Sequence, residues 1–154
     1  VYRRILVALE NSRADDSLVP HVAELAGRLG SELVLIHVAD GWAARHFNHL
    51  SLAESEEMKR DRVYLDGVAA GLRARAVAVE TVLALGNPPN EILRAARERE
   101  CDLIAMTAHG HKFVADFFLG STIDRVRHNT TVPVLVVRAG GLRTGPPVSG
   151  MARS

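Results

Sequence analysis

The chain has 154 residues, 47% of them hydrophobic and 24% charged, which suits one globular domain with a single sizeable core. Nineteen basic and 18 acidic residues leave a formal net charge of +1, which argues against a duplex-DNA footprint or an anionic-membrane surface. Cys101 is the only cysteine, so no intrachain disulfide can form; no apolar run nears the roughly 18 residues of a membrane span, and the first residues lack the apolar segment of a signal peptide, so a cytoplasmic setting is expected.

Ile5-Leu6-Val7-Ala8-Leu9 is apolar at every position, the pattern of a strand buried on both faces of a parallel sheet. Glu10-Asn11-Ser12 breaks the run. Ser12 followed by Asp15 predicts a helix N-cap with an acid in the first turn. Leu18, Val22, Leu25 and Leu29 then form the stripe of an amphipathic helix, and Gly30 stands where a helix C-terminal glycine belongs. Residues 32–38 predict a second strand. Residues 39–50 have no period and contain Gly41, Trp42 and Asn48, so a loop is expected there.

Ser51 with Glu54 resembles a capping box and opens a long helix. Its apolar stripe is Met58, Leu65, Val68 and Leu72, with charges such as Glu57, Lys59, Arg60 and Asp61 elsewhere. Residues 77–85 predict a third strand. Gly86-Asn87-Pro88-Pro89 then turns into a helix, with Asn87 as cap, Pro88 at the first helical position, and Ile92, Leu93 and Ala96 facing inward. Residues 102–106 predict a fourth strand, and Thr107-Ala108-His109-Gly110-His111-Lys112 a loop. Gly120-Ser121-Thr122 is expected to open the last helix, and residues 132–137, from Val132 to Val137, the fifth strand. The Gly/Pro-rich stretch 139–154 has little to bury and is expected to be a mobile tail after a domain spanning 1–138. Strands alternating with helices predict an α/β fold: an open five-stranded parallel sheet with helices on both faces.

In such a sheet, ligands bind beyond the carboxyl ends of the strands, where the strand order reverses. That points to Ala8, Leu9 and Glu10 after the first strand, Val38 at the end of the second, and Thr107 to Gly110 after the fourth. Nine residues separate Gly110 from Gly120. Glycines let backbone N–H groups approach a phosphate, a helix start adds free N–H groups and the positive dipole end, and Ser121 and Thr122 add hydroxyls. His109 and His111 are either further phosphate donors or a solvated loop pair. A metal site there lacks a third ligand, and His46 and His49 lack a carboxylate partner, so no metal is expected. His37, inside the second strand, reads as a packed or hydrogen-bonded residue, and Cys101 as a structural thiol. Phe113, Phe117 and Phe118 either pack the phosphate loop onto the domain or mark a partner surface.

The ensemble of Ile5-Leu6-Val7-Ala8-Leu9, Gly86-Asn87-Pro88, Glu91-Ile92-Leu93, Asp102-Leu103-Ile104-Ala105-Met106, His109-Gly110, Gly120-Ser121 and Pro133-Val134-Leu135-Val136-Val137 resembles the universal stress protein family over residues 3 to 138. The resemblance implies the strand order 3-2-1-4-5 of the adenine nucleotide α-hydrolase-like folds, and homodimers formed through the last strand. It also implies ATP or AMP, with or without Mg, held by a Gly-x-x-Gly-x(9)-Gly-Ser/Thr pattern. Thr107 stands at the first glycine of that pattern. Glu10 stands where ATP-binding members carry Asp, and Asn11 where they carry a small residue.

The candidate nucleotide-binding residues are therefore Ala8, Leu9, Glu10, Val38, Thr107, His109, Gly110, His111, Gly120, Ser121 and Thr122. No Walker A motif and no evident positioned base are present, so at most slow ATP hydrolysis is expected, with no catalytic residue assigned. The alternative is a nucleotide-free dimerisation or regulatory module within a larger protein, a reading that Thr107 and Glu10 favour. An adenylating enzyme would need a Ser-Gly-Gly-rich loop where Glu10-Asn11-Ser12 stands.

Overall fold

The computed structural model describes residues 1–40, 51–108 and 116–139. The elements run β1 (Arg4–Leu9), α1 (Asp15–Leu29), β2 (Glu32–Asp40), α2 (Ser51–Arg73), β3 (Val79–Gly86), α3 (Pro88–Glu98), β4 (Leu103–Ala108), α4 (Asp116–Asn129) and β5 (Val134–Arg138). All five strands pair in parallel in the order β3-β2-β1-β4-β5, as the resemblance implies.

The alternation of side chains along the strands builds two cores, one on each face of the sheet. Ile5, Val7 and Leu9 of β1, with Leu33 and Leu35 of β2, pack against Leu18 and Val22 of α1 and Leu65 and Leu72 of α2. Leu6 and Ala8, with Val34, Ile36, Ile104 and Met106, pack against Ile92 and Ala96 of α3 and Val126 of α4. β1 sits at the centre, which is why its apolar run is unbroken: Ile5, Leu6 and Val7 are fully buried.

Helix ends follow local rules. Gly30 takes the left-handed conformation (φ 69°) after α1, and Asn87 caps α3 by accepting from the Asn90 N–H at 3.3 Å, with Pro88 beginning the helix. Ser12 does not cap α1. The helix begins at Asp15, Ala14 stands in the cap position, and Ser12 instead closes the preceding turn, its carbonyl accepting from the Asp15 N–H at 3.1 Å.

Several boundaries differ from the sequence expectation, each because a partner strand or a neighbouring turn decides them. β2 runs on to Asp40, matched with Gly86 of β3. β3 begins two residues later than expected, at Val79, and continues to Gly86. β4 takes in Thr107 and Ala108, expected as loop, because Val137 and Arg138 of β5 continue the ladder alongside them. β5 begins at Val134 and not Val132, since Pro133 has no N–H to give the ladder; its carbonyl accepts from Ile104 instead. The last helix begins at Asp116, so Gly120, Ser121 and Thr122 lie about one turn inside it and do not open it. The expectations for Trp42, His46, His49, Ser51, Glu54, His109 to Phe113, Phe117, Phe118 and the tail 140–154 fall outside the described residues or side chains.

Candidate functional site

The ladders around β1 have unequal lengths. β1 stays paired with β2 as far as Leu9↔His37, and β4 stays paired with β5 as far as Ala108↔Arg138. The β1–β4 ladder, by contrast, ends at Val7↔Ala105. The two central strands are therefore no longer paired over Ala8-Leu9-Glu10 and Met106-Thr107-Ala108, at the end of the sheet where folds of this kind hold their ligand crevice. This is the point where the strand order reverses, since the chain leaves β1 towards β2 on one side and β4 continues towards β5 on the other.

Ala8, Leu9, Glu10, Val38 and Thr107 are thus brought to one end of the sheet. Ala8 and Leu9 are buried, whereas Glu10 and Val38 are half-buried at the rim. Thr107 is 2% exposed and lies abreast of Val137, so its side chain enters the core face that α1 covers. Its backbone is ordinary strand and is absent from the positive-φ residues, so a β-branched side chain is accommodated there without strain. Among the described residues its hydroxyl finds no hydrogen-bond partner. On α4, Ser121 is exposed and Thr122 is buried. His109, Gly110 and His111 lie outside the described residues.

The β1–α1 turn at this crevice is held from behind by a polar network that periodicity does not disclose. Asp15, 2% exposed, accepts hydrogen bonds from the Glu10 N–H at 3.0 Å and the Asn11 N–H at 2.9 Å, and from the Tyr64 hydroxyl. Asn11 sits in the left-handed region (φ 58°), which Asn tolerates better than most residues. Its side-chain amide donates to Asp61 Oδ1 at 3.1 Å. His37 faces the Leu9 carbonyl through Nδ1 at 3.0 Å and the same Asp61 oxygen through Nε2 at 3.4 Å. Burial, then the bond to Asp15, pushes the Tyr64 phenol well above its ordinary range.

His37 of β2 is therefore a packed, hydrogen-bonded residue, as expected, with its partner carbonyl on β1. Asp61, placed by the sequence among the charges off the apolar stripe, is in fact buried. A signal for this exists: Met58, Asp61, Leu65, Val68 and Leu72 recur at three, four, three and four residues, so Asp61 falls on the inward stripe. A charged residue on that stripe needs a partner. Cys101 is buried, and burial pushes its thiol up to about 11, which suits an inert structural role. At the opposite end of the sheet, Arg4 bridges Glu80 at 2.7 Å and Glu32 at 3.2 Å, and Arg99 pairs with Glu80, tying β1, β2 and β3 together away from the crevice. No group of three metal-ligating side chains occurs among the described residues, and no described helix is long and apolar enough to cross a membrane.

An open, doubly wound parallel sheet with a crevice at its reversal point defines a class of α/β ligand-binding domains. Within that class, the universal stress protein family model matches residues 1–138, and the chain belongs to that family. Universal stress protein YxiE of Bacillus subtilis is 26% identical, over 90% of this chain and 100% of its own length. The solved structure of MJ0577, a universal stress protein of Methanocaldococcus jannaschii, superposes with a TM-score of 0.79 at 23% identity, covering 89% of this chain and 96% of that one. A universal stress protein from Archaeoglobus fulgidus in complex with dAMP shares the fold at a TM-score of 0.66 and 19% identity, covering 89% of this chain and 98% of its own. Another solved in complex with cAMP does so at 0.65 and 18%, covering 90% and 98%.

Proposed function

We propose that this domain is a regulatory module of the stress response that holds an adenine nucleotide, ATP or AMP, in the crevice between the carboxyl ends of β1 and β4. The observation that carries the reading is the early end of the β1–β4 ladder at Val7↔Ala105, which leaves backbone groups of both strands outside that ladder where the strand order reverses. Two fold relatives that hold dAMP and cAMP support it.

Ala8, Leu9, Glu10 and Val38 would line the nucleoside end, with Thr107 contributing backbone. His109, Gly110 and His111, with Gly120, Ser121 and Thr122 of α4, would hold the phosphates, with Mg accompanying ATP. The domain would act by binding, with a change of conformation or assembly as its output. The exposed edge of β5, where Val136 is 42% exposed, would pair with a second copy to form a homodimer in the cytoplasm.

Purified protein is denatured and the released small molecules are separated and weighed, and the native protein is titrated with ATP and AMP by calorimetry. The reading expects ATP or AMP near one per chain, or saturable binding. Neither would leave the second reading, a ligand-free dimerisation module paired through the exposed edge of β5. Val136→Lys is expected to shift the light-scattering mass from dimer to monomer.

A further inference from the structure

The buried network behind the β1–α1 turn does more than satisfy its own charges. Three consecutive residues at the crevice each deliver a backbone group to it: Leu9 its carbonyl, Glu10 its N–H and Asn11 its N–H. A carbonyl only accepts, so His37 Nδ1 carries a proton towards Leu9. On the imidazole's other side, 3.4 Å from Nε2, stands Asp61 Oδ1, which accepts from the Asn11 amide. One oxygen on α2 thus holds the strand exit through His37 and the left-handed residue through Asn11. Ser12, the next residue, donates its hydroxyl to Glu10 Oε2 at 3.2 Å. Glu10 is half-buried at the rim, while Asp15 and Asp61 are buried and committed to the network.

We infer that Asp61 is a positioning residue for the nucleotide site: through His37 and Asn11 it fixes the backbone that presents Glu10 to the nucleoside, and so makes ligand affinity depend on the seating of α2. The inference rests on the nucleotide-site reading above. The buried chain of hydrogen bonds is short and joins a helix to the turn of a different layer. Deleting one end of it leaves a buried imidazole and a left-handed turn residue without the carboxylate they share.

The test is calorimetric titration of wild type, Asp61→Ala, Asp61→Asn and Asn11→Gly with ATP and AMP, well below each protein's melting temperature. Asp61→Ala is expected to weaken binding by about tenfold or more, the scale of removing one partner from a buried charged bond. Asp61→Asn is expected to recover part of that affinity, because its amide oxygen can stand at the place of Oδ1 and still accept from the Asn11 amide. Asn11→Gly suits φ 58° and deletes only the amide link, so it folds even should Asp61→Ala not, and it too must bind more weakly. Wild-type affinity in Asp61→Ala or in Asn11→Gly overturns the inference while the site reading stands, as does an Asp61→Asn protein no better than Asp61→Ala. A wild type that binds neither nucleotide overturns the site reading itself, and this inference with it.

Discussion

Thr107→Val isolates one atom at the position where the family pattern has glycine. The residue is 2% exposed, and none of the described residues offers its hydroxyl a hydrogen bond. A buried donor left unmade costs about 1–3 kcal/mol of desolvation, and the valine methyl that replaces it gains a further fraction of the ~0.8 kcal/mol of a buried carbon. The backbone is unstrained strand, and both side chains are β-branched, so no compensating loss is expected. Thr107→Val should therefore stabilise the domain by about 1–2 kcal/mol, with each kcal/mol worth about 2–4 °C in Tm for a chain of this size. Urea unfolding reads it as a raised midpoint with an unchanged slope. The side chain enters the core face under α1, so nucleotide affinity should be unchanged. A less stable variant would refute the reasoning, because it would mean the hydroxyl has a partner in solution. A stable variant with weakened nucleotide binding would show that the side chain, and not only the backbone, meets the ligand.

Three further outcomes are expected. Tyr64→Phe removes one of three donors to buried Asp15 and should cost about 1.5–3 kcal/mol at neutral pH by chemical denaturation. The folded-state phenol titrates above its unfolded value of about 10, so its contribution is complete below that pH and is lost as pH rises through the folded value; in the Tyr64→Phe variant that alkaline decline should be absent, and its persistence would assign it to another group. Glu100, at φ 52° behind α3, occupies the place that Gly30 takes behind α1, with the Cys101 N–H closing back to Ala96; Glu100→Gly should raise Tm by the equivalent of up to about 1 kcal/mol, and a lowered Tm would show that the Glu side chain contributes contacts worth more than the strain. Cys101 should resist thiol alkylation in the native protein at neutral pH and react on unfolding, since burial holds its thiol near 11; rapid native labelling would show that the β4 entrance opens.

The sequence alone determined the architecture. Unbroken apolar runs at β1 and β2 mean strands covered on both faces, and the alternation with amphipathic stripes leaves a doubly wound sheet as the consistent arrangement. Gly30 and Asn87-Pro88 marked helix ends because caps are local chemistry, legible from a few neighbouring residues. The end of the sheet where the strand order reverses was legible as a location, from Leu9-Glu10 and Thr107, because the strands' carboxyl ends follow from the topology. What tertiary structure decided is everything that depends on a partner distant in the chain. β4 reaches Ala108 because β5 lies beside it, and β1 parts from β4 after Val7 because each follows a different neighbour. Asp15, His37 and Asp61 come from three separate elements, and only folding brings their atoms within hydrogen-bond reach. A buried carboxylate looks like any surface acid in sequence until the donors that neutralise its burial are in place around it, which is why the network behind the site stayed out of view while the sheet that carries it did not.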